Sequence, residues 1–280
     1  MLVCIDSDGT VFDSMELKHK ECFGPAFVDG WDLQNVSQYA REVWEYVNLY
    51  SLSRGINRFK AVIRALELLG SRKEAVALGY TVPDLTELKH WAGQASSLSR
   101  DSLAEASARR PDDDAMRRAI AWTDTVNIAL SASVKSIPPF PGALQAMREL
   151  GTFCDIVVVS TAPHARLLEE WQNSGIDGMT AFIAGQEYGS KAVCIRKAMQ
   201  AGGYLPERTV KIGDAPADHQ AAVEAGVLFM PVVPGDEHGS WARILQTDIP
   251  LLRENCYRER MPERIARFEK TLTAPPSWMA

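Results

Sequence analysis

Cys4-Ile5-Asp6-Ser7-Asp8-Gly9-Thr10-Val11-Phe12-Asp13 is the stretch from which the fold can be read. The apolar run that leads into it, from Leu2, predicts a short buried strand. That strand ends in two carboxylates two positions apart, followed by a glycine and a threonine. In extended chain the side chains at i and i+2 project to the same side, so Asp6 and Asp8 can address one ligand together. Gly9 permits a sharp turn at that point. Adjacent carboxylates repel unless a cation or a shared proton relieves them, and their oxygen donors suit a hard divalent ion, Mg2+ above all. Asp-rich turns and helix caps are common, so the stretch by itself leaves both a turn and a site open.

From there to about residue 137 the periodicity is helical. Asp13, with Glu16 three positions on, resembles a capping box and predicts a helix through about Phe27. Val36, Tyr39, Val43, Tyr46 and Val47, then Phe59, Val62, Ile63, Leu66 and Leu69, fall at helical spacing on either side of a break near Ser51 to Gly55. Shorter helices are predicted at 72–78, 85–91 and 102–108. A longer one over 112–132 is opened by Pro111 and an acidic first turn. Nothing in this region reads as a convincing strand.

The character changes at Ile137-Pro138-Pro139-Phe140-Pro141-Gly142. Helices predicted at 143–150, 163–173, 191–201 and 217–225 now alternate with strands at 156–159, 181–184, 209–212 and 227–233. This alternation predicts an α/β fold with a doubly wound, Rossmann-like parallel sheet, which the strand beginning at Leu2 most naturally joins. Two domains are therefore expected. Residues 1–13 and 138–280 form the core, with an accessory helix over 258–272 and a loose Pro-rich end; residues 14–137 form an inserted all-helical domain.

With 280 residues, 46% hydrophobic and 24% charged, the chain can bury a sizeable core of the ordinary globular kind. A net charge of -6 without a long basic tract argues against general nucleic-acid binding, which needs a positive field to engage phosphates. The five cysteines are scattered and include no Cys-x-x-Cys pair, so no disulfide framework or zinc site is implied and a reducing, cytoplasmic setting is expected. No run approaches the roughly 20 apolar residues of a membrane span, and the apolar start of the chain is too short for a signal segment. A membrane partner is not expected, and a monomer or homodimer is.

In an open parallel sheet ligands bind beyond the C-terminal ends of the strands. The polar residues there are Asp6 and Asp8 after the first strand, Ser160 and Thr161 after the second, and Gly213, Asp214 and Asp218 after the strand ending at Ile212. Lys191 opens a helix after Gly189-Ser190. These motifs, in this order, resemble those of the haloacid dehalogenase-like (HAD) hydrolases: Asp6-Ser7-Asp8-Gly9-Thr10, then Val157-Val158-Val159-Ser160, then Lys191, then Ile212-Gly213-Asp214-Ala215-Pro216-Ala217-Asp218. The helical insert resembles the family's C1-type cap, in the manner of phosphoglycolate phosphatase and beta-phosphoglucomutase, though it is larger than the common small version.

The resemblance implies roles. Asp6 is the nucleophile that forms an aspartyl-phosphate, and Asp8 is the general acid and base. Mg2+ is held by Asp6, the backbone carbonyl of Asp8 and Asp214, with Asp218 as support. Ser160 and Lys191 hold the phosphoryl oxygens. Each residue also has a plainer reading. Ser160 and Thr161 can cap the following helix, Asp218 can be an acid favoured by a helix N-terminus, and Asp13 a simple cap. The five histidines show no ligand spacing. Arg54, Arg58 and Lys60 lie at a turn of the cap, where they can meet a substrate or simply face solvent.

The leading expectation is a Mg2+-dependent phosphatase acting on a small phosphorylated metabolite. Dehalogenases and phosphonoacetaldehyde hydrolases of the superfamily typically lack an aspartate at the position of Asp8, which disfavours both. A phosphomutase shares the whole site. A non-catalytic protein that binds a phosphometabolite or serves as a scaffold is the alternative from another class. Cap closure is expected to exclude water, with hinges near Ser14 and near Pro138 to Pro141.

Overall fold

The computed structural model describes residues 1–133, 137–273 and 275–279. Five strands, β1 (Leu2–Ile5), β2 (Asp155–Val159), β3 (Phe182–Ala184), β4 (Thr209–Gly213) and β5 (Leu228–Pro231), form one parallel sheet in the order β3-β2-β1-β4-β5. The first strand in the chain is thus the central one. Cys4 lies opposite Val157 of β2 on one side and opposite Lys211 of β4 on the other. A strand paired at both edges and covered on both faces needs apolar side chains in both directions, hence an unbroken apolar run rather than an alternating one. All four of its residues are buried, and burial of Leu2, Val3 and Ile5 stabilises by about 1.5–3 kcal/mol each.

One face of the sheet presents Leu2, Cys4, Val157, Val159 and Phe229. They pack against Ile195 and Met199 of helix Lys191–Gly202, Ala221 and Ala222 of helix Pro216–Ala225, and Phe268 of helix Tyr257–Leu272. Alternate residues point to the other face, where helix Pro141–Leu150 packs on β2. Ala143, Ala146, Met147 and Leu150 form the buried stripe of that helix.

The chain divides into two compact units, Met1–Met15 with Ser136–Ala274, and Glu16–Lys135 with Pro275–Ala280. The second is helical, with helices Gly24–Gly30, Ser37–Leu49, Arg58–Gly70, Lys73–Ala77, Thr86–Gln94, Arg100–Ala108 and Asp114–Ser133, and no strand among its described residues. Its core stacks Phe27, Trp44, Phe59 and Trp122. Trp278 packs on the same unit, over the guanidinium of Arg72 at 4.5 Å and edge-on to Tyr46 at 5.7 Å.

Two local features depart from the sequence-based expectation. The helical stretch begins at Met15 and passes through a π-type turn at Lys18–Phe23; Asp13 is exposed rather than capping, and the hydroxyl just before the helix, that of Ser14, donates to Asp8 instead. Between β5 and the last helix, Glu237–Arg243 and Ile249–Arg253 are helical around a π turn. Periodicity left that segment unassigned, and it is fixed by the buried carboxylate of Asp248, which holds Arg243 at 3.1 Å and Arg264 at 3.3 Å. No helix is long and apolar enough to cross a membrane among the described residues.

Candidate active site

The chain leaves β1 still paired: the Asp6 N–H donates to Ile212 O at 3.0 Å, one residue past the strand. It then turns. The N–H groups of Val11 and Phe12 both donate to Ser7 O, and that of Gly9 to Phe12 O. Gly9 takes a φ of 72°, a left-handed conformation that costs a side-chain-bearing residue about 1 kcal/mol or more. Two fully buried indoles clamp this turn from different helices. Trp171 Nε1 donates to Ser7 Oγ and Trp241 Nε1 to Thr10 O, each at 3.0 Å. The turn therefore has a fixed shape, and Asp6 Oδ1 accepts the N–H of Ser7 at 2.8 Å within it.

The other strand ends bring their polar residues to the same edge. Lys191 is the first residue of its helix, whose cap is Ser190. Its ammonium donates to Asp6 Oδ2 at 2.6 Å and to Asp218 Oδ1 at 2.7 Å. Asp214 Oδ1 accepts the hydroxyl of Thr10 at 2.6 Å. Asp218 accepts in addition the ammonium of Lys211 at 2.9 Å and the N–H of Ala215 at 3.3 Å. Gly213 makes room for this: a Cβ there would come within 2.3 Å of the Asp218 Cγ. Asp6, Ser160, Lys191, Lys211, Asp214 and Asp218 are all buried.

Burial, then the charge of Asp218, pushes the Asp6 carboxyl up to about 6, against the pull of Lys191 and Lys211. Asp218 is also penalised by burial, but Lys191 and Lys211 outweigh that and bring it down to about 2. For Lys191 burial favours the neutral amine, and the carboxylates of Asp218 and Asp6 reverse the balance, holding it charged and above the ordinary lysine range. The pocket thus keeps its ions by mutual pairing.

One carboxylate oxygen each from Asp6, Asp214 and Asp218 falls within 4.8 Å of the others. Such an all-oxygen, buried set has the donor chemistry of a hard divalent cation such as Mg2+. Asp8 is half-buried, and its carboxylate is turned to the Ser14 hydroxyl rather than into this trio. Ser160 Oγ accepts the N–H of Ala162 at 3.3 Å and does not cap the helix His164–Asn173, which enters through Pro163; Thr161 is exposed.

The basic cluster of the helical unit is not uniform. Arg54 is buried and donates to Leu49 O at 3.0 Å. Arg58 donates to Thr123 Oγ1 and Asn127 Oδ1 and lies over the ring of Phe23 at 5.2 Å. Lys60 is exposed.

Sequence reasoning quoted Thr10 in the first motif and placed Ser14 at a hinge without giving either a bond to a site carboxylate, and it passed over Lys211, Trp171 and Trp241. Of these three only Lys211 left a signal, as a charge in the middle of the apolar strand Val210-Lys211-Ile212, where an unpaired ammonium is costly.

With the site described, relatives can be compared. The family model described as haloacid dehalogenase-like hydrolase matches residues 73–232, more than half of the chain. No curated protein matches. Among solved structures, one named as a predicted phosphoglycolate phosphatase from Haemophilus somnus 129PT is 13% identical over 88% of this chain and 96% of its own, with a TM-score of 0.53. Another, provisionally named as a phosphoglycolate phosphatase from Lactobacillus delbrueckii subsp. bulgaricus, is 16% identical over 82% and 84%, with a TM-score of 0.50. The L-2-haloacid dehalogenase of Xanthobacter autotrophicus is 14% identical over 90% and 86%, with a TM-score of 0.44. The first two of these structures share the fold of this chain, and the family match places the chain among the haloacid dehalogenase-like hydrolases, to which it belongs.

Proposed function

We propose that the protein is a Mg2+-dependent phosphatase that hydrolyses a small phosphorylated metabolite through an aspartyl-phosphate. The observation that carries this reading is the division of labour between two carboxylates on one turn: Asp6 is buried against Lys191, and Asp8 stands apart from the buried trio on the hydroxyl of Ser14. A nucleophile and an acid/base need these different surroundings. The aspartate at position 8 also favours phosphate over halide as the leaving-group chemistry, since dehalogenases of the superfamily typically lack it.

In this reading Asp6 Oδ attacks phosphorus in line with the leaving oxygen, which departs with the proton of Asp8. Asp8, now ionised, takes a proton from the water that attacks the phosphorus of the aspartyl-phosphate, and Asp6 is released. Lys191 and the Ser160 hydroxyl hold the non-bridging oxygens. Asp6 and Asp214 are the residues that would hold Mg2+, which when bound supplies charge neutralisation for the transferring group. Uncatalysed phosphate monoester hydrolysis is among the slowest known reactions, so each of these charges has a large barrier on which to act. Arg54 and Arg58 are proposed to contact the organic part of the substrate.

Release of inorganic phosphate from a panel of sugar, polyol and nucleotide monophosphates, with Mg2+, is the test. At least one ester should be turned over by the wild type and none by Asp6→Asn. No turnover of any ester, or equal turnover by both proteins, sinks the hydrolase reading. Formation of an isomeric phosphate ester in place of free phosphate identifies a mutase.

A further inference from the structure

A cavity of about 450 Å3 lies between the sheet and the helix Lys191–Gly202. Leu2, Asp155 and Phe182, the first residues of β1, β2 and β3, border it, whereas Asp6, Ser160 and Asp214 follow the ends of their strands. It is therefore separate from the candidate active site. On the helix side Cys194, Lys197, Ala198 and Ala201 recur at i, i+3, i+4 and i+7 and share the face turned to the cavity. The alanines on that face and Ala184 of β3 are too small to fill the gap. Gly202 lets the ring of Tyr204 lie against the helix end, where any side chain would collide with it.

Protein interiors hold few voids larger than a water molecule. A void of about 150 Å3 suffices for benzene, so this cavity has room for two fused rings. Water inside it finds few partners on Leu2, Val157 and Ala198, and an apolar group displaces such water favourably. Phe182 and Tyr188, both exposed, stand edge to face at 5.1 Å on the rim and offer ring surface to an aromatic guest. The two charged residues of the lining differ. Asp155 accepts the hydroxyl of Tyr204, whereas the ammonium of Lys197 donates to a neutral oxygen, Tyr188 O, at 3.0 Å and pairs with no carboxylate among the described residues.

We propose that this cavity is a binding site for a small aromatic carboxylic acid, whose rings lie between the sheet and the helix and whose carboxylate meets Lys197. Charge complementarity selects this occupant. A neutral hydrocarbon leaves the ammonium without a counter-charge, and an organic cation is repelled by it. The site goes beyond the hydrolase reading and does not depend on it.

The test is calorimetric titration of the full chain with 2-naphthoate and, as its cationic counterpart, 2-naphthylmethylammonium. The wild type should bind one naphthoate, and should bind the ammonium compound at least about fivefold more weakly, because the sign of the charge beside Lys197 is reversed. Lys197→Met should weaken naphthoate by about threefold, the value of one exposed ion pair, and remove most of the preference. Ala198→Leu places a side chain in the ring space and should weaken naphthoate at least about tenfold through steric exclusion. Ala201→Met, at an exposed position of the same wall, repeats the block if the leucine variant does not fold. Saturating inorganic phosphate with Mg2+ should leave naphthoate binding unchanged. Absence of binding, equal affinity for both compounds, full affinity in the blocked variants, or competition by phosphate each overturns the proposal. A dimer in sedimentation that Phe182→Glu dissociates and that excludes naphthoate makes the cavity a face for a second copy of the chain and overturns it equally.

Discussion

Lys191 Nζ stands 2.6 Å from Asp6 Oδ2, although 185 positions separate the two residues in the chain. The contact joins the turn after the central strand to the first turn of a helix on one face of the sheet. A lysine there opposes the helix macrodipole, and the two carboxylates it meets are what hold it charged.

That pairing is incomplete, and pH should reveal it. The Asp6 carboxyl titrates near 6 in the fold, against an ordinary value of 3.8. A raised acid pKa means that the ionised form is disfavoured by folding: the penalty is absent below about pH 4 and fully present above about pH 6. In metal-free protein Asp6→Asn should therefore be more stable than wild type at pH 7.5, by on the order of 2 kcal/mol, with the difference shrinking towards zero at pH 4.5. Urea unfolding at the two pH values measures this. Asp218, low at about 2, loses its contribution only as pH falls below about 4 and does not disturb the window. Mg2+ should stabilise the wild type above pH 6 and leave Asp6→Asn nearly unmoved; a pH-independent difference between the proteins contradicts this account.

Gly213→Ala tests the space behind Asp218. The new methyl would stand 2.3 Å from the Asp218 Cγ, so either the carboxylate or the backbone must shift. A loss of about 1–3 kcal/mol of stability is expected from such overpacking, together with a fall in kcat well beyond what the stability change alone explains. Thermal unfolding and kinetics on the same preparation separate the two, and an active, fully stable variant would show that Asp218 has room to move.

Trp171→Phe keeps the ring against Phe12, now 5.6 Å from the indole, but removes the donor to Ser7. Leaving that buried hydroxyl short of a partner should cost about 1–3 kcal/mol. The turn that carries Asp6 and Asp8 should loosen with it, giving faster amide hydrogen exchange at Val11 and Phe12, whose N–H groups bond to Ser7 O. Unchanged exchange there would limit the tryptophan to packing.

Ser14→Ala removes the hydroxyl that donates to Asp8. If Asp8 is the acid and base, its aim depends on this contact. The kcat should drop by about five- to thirtyfold, within the range that general acid–base groups contribute, while Mn2+ affinity stays as in wild type. A change in metal affinity with kcat preserved would reverse the assignment.

Arg58→Ala should raise KM more than it lowers kcat on the best ester, as expected for a contact made equally in ground and transition states. Loss of its bonds to Thr123 and Asn127 should also lower the stability of the helical unit by about 1 kcal/mol. Unchanged kinetics would confine the side chain to that structural part.

The parallel sheet and the order of its polar strand ends were legible in the chain because they rest on local information: apolar runs such as Leu2 to Ile5, helical spacing such as Ala143 to Leu150, and an acidic or hydroxyl residue at the point where each run stops. Asp6 and Asp214 could be named that way, since a buried strand has few reasons to end in a charge, whereas Lys191, at the start of a helix, was named by its place in the order of the motifs. What the tertiary structure decided is which charge meets which. Lys211 reads as an anomaly in β4 until the sheet order puts β1 between it and Val159 O. Trp171 and Trp241 read as core until their N–H groups are found on Ser7 and Thr10, 164 and 231 positions away. Hydrophobic periodicity records which face of an element is buried, whereas an ion pair or a hydrogen bond depends on the position of a single atom, and that position exists only once strands distant in the chain have been laid side by side.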